Sequence, residues 1–184
     1  MKKIILFNKP YNVLSQFTDA KYLGTKRLTL SNFINIKGVY AAGRLDKDSE
    51  GLLLLTNSGL IQEKITNPMH KVSKGYWVQV EGDPSETKLN ILRNGIYLRD
   101  GITRKAVVEI MEQPDGLWPR FPPIRIRKTV SETWLKMIIS EGRNRQIRRM
   151  TAAIGHPTLR LIRYRIGLWK ICNIKSGDYS EILV

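Results

Sequence analysis

The stretch Gly43-Arg44-Leu45-Asp46-Lys47-Asp48-Ser49-Glu50-Gly51 sets three carboxylates close together between two glycines. It runs into Leu52-Leu53-Leu54-Leu55-Thr56, which reads as a strand buried on both faces. A loop mounted on such a strand can hold a carboxylate in a defined place. Asp46, beside Leu45 and two residues from Arg44, is therefore the candidate catalytic carboxylate. Asp46, Asp48 and Glu50 followed by Gly51 also match the first half of a calcium loop, but the closing glutamate would fall at Asn57. A metal-dependent nuclease built on the three acids has no further acidic cluster or histidine behind it. The plain alternative is a polar turn between two strands.

A carboxylate of this kind needs partners. Glu141-Gly142-Arg143-Asn144-Arg145-Gln146-Ile147-Arg148-Arg149-Met150 reads as a helix on which Arg145, Arg148 and Arg149 share a face. Arg148 adjoins apolar Ile147, which sets it near the edge of the core. These arginines suit a solvated basic face, phosphate contacts, or an ion pair that keeps Asp46 charged. Trp118 and Phe121, with Arg120 and Arg125, either stack on unpaired bases or pin their own proline-rich loop. Tyr76 at a strand entrance suits packing, His70 and His156 suit turns or caps, and Cys172 suits a small buried apolar group.

The elements that must position these residues follow from periodicity and punctuation. Strands are predicted over residues 2–7, 39–42, 52–56, 74–82, 104–111, 133–139 and 159–166, with one more hairpin or strand pair in 169–184. Residues 13–30 read as loop. Helices are predicted after Asn57-Ser58-Gly59, with Leu60, Ile61 and Ile65 on its apolar side, over 85–93 with Ser85 as cap, and over 142–154. Strands and helices alternate irregularly, which predicts an α+β fold with a mixed, mostly antiparallel sheet. Residues 113–123 carry four of the eight prolines and make a stiffened loop within one domain of 184 residues.

The chain carries 31 Lys+Arg against 16 Asp+Glu, a net charge of +15, which predicts a polyanionic partner and puts nucleic acid first. With 42% hydrophobic and 26% charged residues, it is expected to fold rather than stay disordered. No apolar run approaches a membrane-spanning length, and the basic residues are spread over several elements rather than one amphipathic helix. One cysteine excludes an intrachain disulfide, and two histidines make a dedicated zinc site a poor expectation. A reducing cytoplasmic location is expected.

Taken together, four motifs resemble the bacterial pseudouridine synthases. Gly43 to Asp46 with Gly51 to Gly59 is similar to the catalytic motif of the RsuA branch. Lys9-Pro10, then Lys74 with Tyr76, then Glu141 to Met150 match the other motifs in order, over about residues 4–168. The stretches Pro122 to Lys128 and Thr158 to Arg163 look most like the RluE subgroup, whose members act on 23S ribosomal RNA. Ser49 and Ser58 depart from the usual threonine and aspartate. The resemblance implies a sheet flanked by helices, two α/β halves with a central basic cleft, and no separate N-terminal RNA-binding domain. It implies a monomeric isomerase that needs no cofactor or metal. Asp46 would initiate glycosidic-bond cleavage, Arg148 would pair with it, Tyr76 would stack on the base, and Leu161 would wall the base in. Arg44, Leu45, Arg143, Arg145 and Arg149, together with the 158–165 strand, would bind substrate. A non-catalytic RNA-binding or ribosome-assembly protein on the same fold is the alternative.

Overall fold

The apolar runs become strands in a computed structural model that describes residues 1–19, 27–125 and 129–183. Residues 20–26 of the expected loop, Ile126, Arg127 and Lys128 of the RluE-like stretch, and Val184 lie outside the described residues. In chain order the strands are β1 (Lys3–Lys9), β2 (Tyr40–Ala41), β3 (Glu50–Thr56), β4 (Lys74–Glu81), β5 (Tyr97–Leu98), β6 (Gly101–Ile102), β7 (Val107–Met111), β8 (Glu132–Ile139), β9 (Thr158–Ile166), β10 (Trp169–Lys170) and β11 (Tyr179–Leu183). The helices are α1 (Gly59–Thr66), α2 (Glu86–Asn94) and α3 (Gln146–Ala153). The fold is α+β. Two compact units divide it, Met1–Val72 with Arg163–Val184, and Ser73–Ile162.

In the first unit β1 pairs antiparallel with both β11 and β3, with Phe7 opposite Leu53 and Lys9 opposite Gly51. Every residue of β3 is buried, as a continuous apolar run in a covered strand requires. Ile5, Phe7, Leu53 and Leu55 pack with Leu30, Ile34, Val39 and Leu45 in one cluster. Leu45 thus ties the acidic loop to the core, a burial that contributes about 1.5–3 kcal/mol. The tail is not one hairpin. β10 pairs with β9, whereas β11 pairs with β1. Asn8 explains the split: its backbone bonds Asp178 and Gly177, and its side-chain amide donates to the Ile174 carbonyl at 2.8 Å.

In the second unit β4 pairs antiparallel with β8, and β8 with β7. Their inner faces pack with Leu89 and Leu92 of α2 and with Ile147, Met150 and Ile154. β7 starts at Val107 rather than Arg104, because Arg104 N–H donates to Glu141 Oε1 and Ala106 N–H to the Arg93 carbonyl. The predicted helix over 142–154 shortens to Gln146–Ala153, with Arg145 left-handed at φ 48°. Arg145 therefore leaves the helical face that spacing gave it with Arg148 and Arg149. On α1 only Ile65 is buried and Leu60 is exposed. Neither Ser58 nor Ser85 caps its helix through the hydroxyl. Cys172 is exposed, since neighbouring Ile171 takes the buried position.

At Gly51 the backbone has φ +100°, and a Cβ there would lie 2.4 Å from the Arg163 carbonyl oxygen. Only glycine accepts both the conformation and the approach. Gly51→Ala is expected to cost about 2–3 kcal/mol or more in urea unfolding of the whole chain.

Candidate active site

The Asp46 loop rests on a layer of buried polar groups in the first unit. Lys9, with no exposed surface, donates from its ammonium to the carbonyls of Pro10 and Val13 at 2.9 Å and of Lys47 at 3.5 Å. Asn12 N–H also donates to the Lys47 carbonyl, at 2.8 Å. The Ser15 hydroxyl donates to the Leu45 carbonyl at 2.6 Å and accepts from Leu45 N–H at 3.1 Å. Ser49 N–H closes the turn onto the Asp46 carbonyl. Buried Arg163 donates from Nε to the Leu52 carbonyl at 2.8 Å and from Nη1 to that of Arg44 at 3.4 Å. The backbone is thus held on both sides of half-buried Asp46, while the Arg44 side chain stands exposed.

The second unit gathers the remaining candidates. Tyr76, 7% exposed, and Leu161 belong to one apolar cluster with Ile147 and Met150. Tyr76 is therefore well packed, with its ring in a fixed place on β4. Arg148 follows buried Ile147 and is half-buried, as its sequence neighbour predicts, and Nη1 donates to the Thr158 carbonyl at 3.4 Å. Arg145 is exposed.

Two arginines expected at phosphates make specific contacts within the protein. Arg149 forks onto Asp100 at 2.8 and 3.0 Å. Its hydrogen bonds hold the Asp100 carboxyl down to about 2, well below the usual carboxylate range. Arg143 donates to Glu141 and to the carbonyls of Asp100, Gly101 and Ile102. Two arginines of the 158–165 strand also turn inward, Arg163 as above and buried Arg160 onto the Trp118 carbonyl. Arg160 lies 6.0 Å from the Trp118 ring centroid as well. That contact favours the pinned-loop reading for Trp118, whereas Phe121 is 89% exposed. His156 holds its strand end through Nδ1 and the Glu81 carbonyl at 2.8 Å, a structural role of the kind expected.

Lys9, Ser15 and Arg163 were not singled out as site residues from sequence. Lys9 had a signal, its place in the Lys-Pro motif, and Arg163 lay in the 158–165 strand expected at substrate; Ser15 had none, because its partner lies 30 residues away. Among the described residues no group of three or more His, Cys, Asp or Glu could hold a metal ion, and no helix is long and apolar enough to cross a membrane.

Burial pulls the Lys9 pKa down to about 7, with Glu50, Asp48 and Asp46 opposing the fall and Arg163 adding to it. Between about 7 and 10.5 the unfolded chain therefore holds a proton that the folded chain has released. Stability from this group rises with pH across that window, and below it the full cost of charging a buried amine is carried. In Lys9→Met the rise should disappear. Urea unfolding across the window should show a slope shallower by up to about 1.4 kcal/mol per pH unit.

Known proteins share the sequence and fold of this chain. Residues 3–153 match the family model described as RNA pseudouridylate synthase. The chain is 56% identical over 181 residues to a protein of Vibrio vulnificus named ribosomal large subunit pseudouridine synthase E, covering 98% of this chain and 75% of that one. It is 54% identical over 176 residues to the protein of the same name from Xanthomonas campestris, covering 96% and 93%. A ribosomal large subunit pseudouridine synthase B of Bacillus subtilis is 35% identical over 178 residues, covering 96% of this chain and 66% of that one. A crystal structure described as a pseudouridylate synthase superposes with a TM-score of 0.81 at 27% identity, over all of this chain and 71% of the other. The four motifs, the α+β fold and these matches agree, and the chain belongs to the RNA pseudouridylate synthase family.

Proposed function

We propose that this protein isomerises a uridine of large-subunit (23S) ribosomal RNA to pseudouridine, acting in the cytoplasm as a monomer without metal or cofactor. The observation that carries the reading is a carboxylate loop fixed by hydrogen bonds at Leu45, Asp46 and Lys47 in a chain of this family. The names of its relatives, at 54–56% identity, direct it to the large subunit.

In the reaction the N1–C1′ bond breaks, the base turns, and a C5–C1′ bond forms. C5 loses a proton and N1 gains one, so atoms and electrons balance within the substrate. Asp46 initiates cleavage. The resemblance gives Arg148 the role of that carboxylate's cationic partner in the reaction. Tyr76 stacks on the base and serves proton chemistry at C5, and Leu161 walls the base on its apolar side. The fixed backbone around Asp46 supports this assignment, because a catalytic group loses effectiveness when its mount is loose. The target uridine leaves its stack to be reached, at a cost of a few kcal/mol. Arg44 and Arg145, both exposed, meet backbone phosphates and offset that cost. Arg143 and Arg149 serve RNA through the segment that they hold.

The test is pseudouridine mapping of unmodified ribosomal RNA transcripts incubated with wild type or Asp46→Asn in the presence of EDTA. One new pseudouridine in the large-subunit transcript is expected with wild type, with the rate falling at least about a thousandfold in the variant. Arg148→Met should lose most of the rate as well. Equal RNA binding by wild type and Asp46→Asn with no modification by either, on naked transcripts and on precursor particles alike, would overturn the proposal.

A further inference from the structure

Leu98 of the β5–β6 hairpin and adjoining Ile96 pack on the apolar cluster of the second unit, and hydrogen bonds at root and tip fix the hairpin further. It has two residue pairs, Tyr97 opposite Ile102 and Leu98 opposite Gly101, and such a ribbon is not stable alone. Tyr97 is 79% exposed and Ile102 50% exposed, so neither is held by a core. Yet its root is closed by Thr103 N–H onto the Ile96 carbonyl and Ile96 N–H onto Thr103 Oγ1, both at 2.9 Å. Its tip is gripped by Arg149, which forks onto Asp100, and by Arg143, which bonds three successive carbonyls. At the root, Gly95 lets the backbone close in: a Cβ there would meet the Thr103 carbonyl oxygen at 2.5 Å.

We propose that this hairpin is an RNA-contact arm, on which Tyr97 stacks against an unpaired base of the substrate and Arg99 meets a backbone phosphate. Directly paired residues of an antiparallel ladder share a face, so Tyr97 and Ile102 form one apolar ledge. Arg99 stands exposed at the turn beside it. An aromatic surface next to an arginine fits a nucleotide, with a π-face for the base and a fixed charge for the phosphate. The rigid mount matters because little freedom remains to be lost when RNA binds. Arg143 and Arg149 thereby act on RNA indirectly, as positioning residues for the arm. An acidic protein surface could use the arginine, but it would gain little from a stacking ledge in a chain of net charge +15.

The inference rests on the proposed reaction for its substrate, and its test separates the two. Binding of an unmodified large-subunit RNA transcript is measured directly at several salt concentrations for wild type, Tyr97→Ala, Tyr97→Trp, Arg99→Ala and, as an exposed apolar control, Leu60→Ala. Pseudouridine formation at saturating and limiting RNA is measured in parallel. Tyr97→Ala should weaken binding by roughly tenfold while the rate at saturating RNA stays within about twofold. Tyr97→Trp should restore affinity, and Arg99→Ala should lower the salt dependence by about one phosphate contact. Photocrosslinking should join Tyr97 itself to a base. The arm is overturned if Tyr97→Ala binds like wild type and like Leu60→Ala, or if tryptophan fails to restore what alanine loses. RNA binding that depends on Tyr97 without any pseudouridine formed would count against the proposed reaction and support the arm; absence of binding by wild type would overturn both.

Discussion

A single ammonium group, buried completely, fixes the backbone on which Asp46 is carried. Lys9 ends β1 and reaches three carbonyls, one of them in the acidic loop itself. Three donors on one cation meet three acceptors, so the charge is spread over oriented dipoles where water is absent. Burial works against that charge and nearby Glu50 works for it. The second cation of the layer, Arg163, fastens Leu52 and Arg44 from the other side. The second depends on Gly51, since a side chain there would separate β3 from the strand that brings Arg163.

Several arginines of this basic protein are engaged within the fold. Arg160 and Arg163 are buried and bonded to carbonyls, while Arg143 and Arg149 clamp a hairpin. Guanidinium is suited to the task, because its planar fork satisfies several acceptors in fixed directions. Net charge thus overstates the charge available to RNA. Arg44, Arg99 and Arg145 are among the arginines that stay exposed.

The two units use different means to fix the candidate site residues. In the first, hydrogen bonds to backbone hold an irregular loop that has little core of its own beyond Leu45. In the second, apolar packing holds Tyr76 and Leu161 on strands, and Ile147 seats the start of α3. Catalytic carboxylates need access to substrate and so cannot be locked by burial alone. An aromatic ring that offers one face can be packed on its other sides.

Much of this was legible in the sequence. The leucine run of β3, the alternation of β4 and the helical spacing of Leu89 and Leu92 each follow from local periodicity, because one buried face imposes period two or 3.6. The four motifs named the family, and with it Asp46, Tyr76 and Arg148 as the residues to examine. What the sequence could not supply were interactions between distant residues. The αL turn at Arg145 comes from a loop in which Gln146 accepts from Arg143 N–H and donates to Glu141, so spacing alone put Arg145 on the wrong face. The tail divided because Asn8, more than 160 residues earlier, captures it. The inward turn of Arg160 and Arg163, the clamp on Asp100 and the lysine beneath the acidic loop are likewise long-range. Local pattern records which side of an element is apolar; only the folded chain decides which charged groups meet, because their partners are brought near by tertiary packing rather than by sequence.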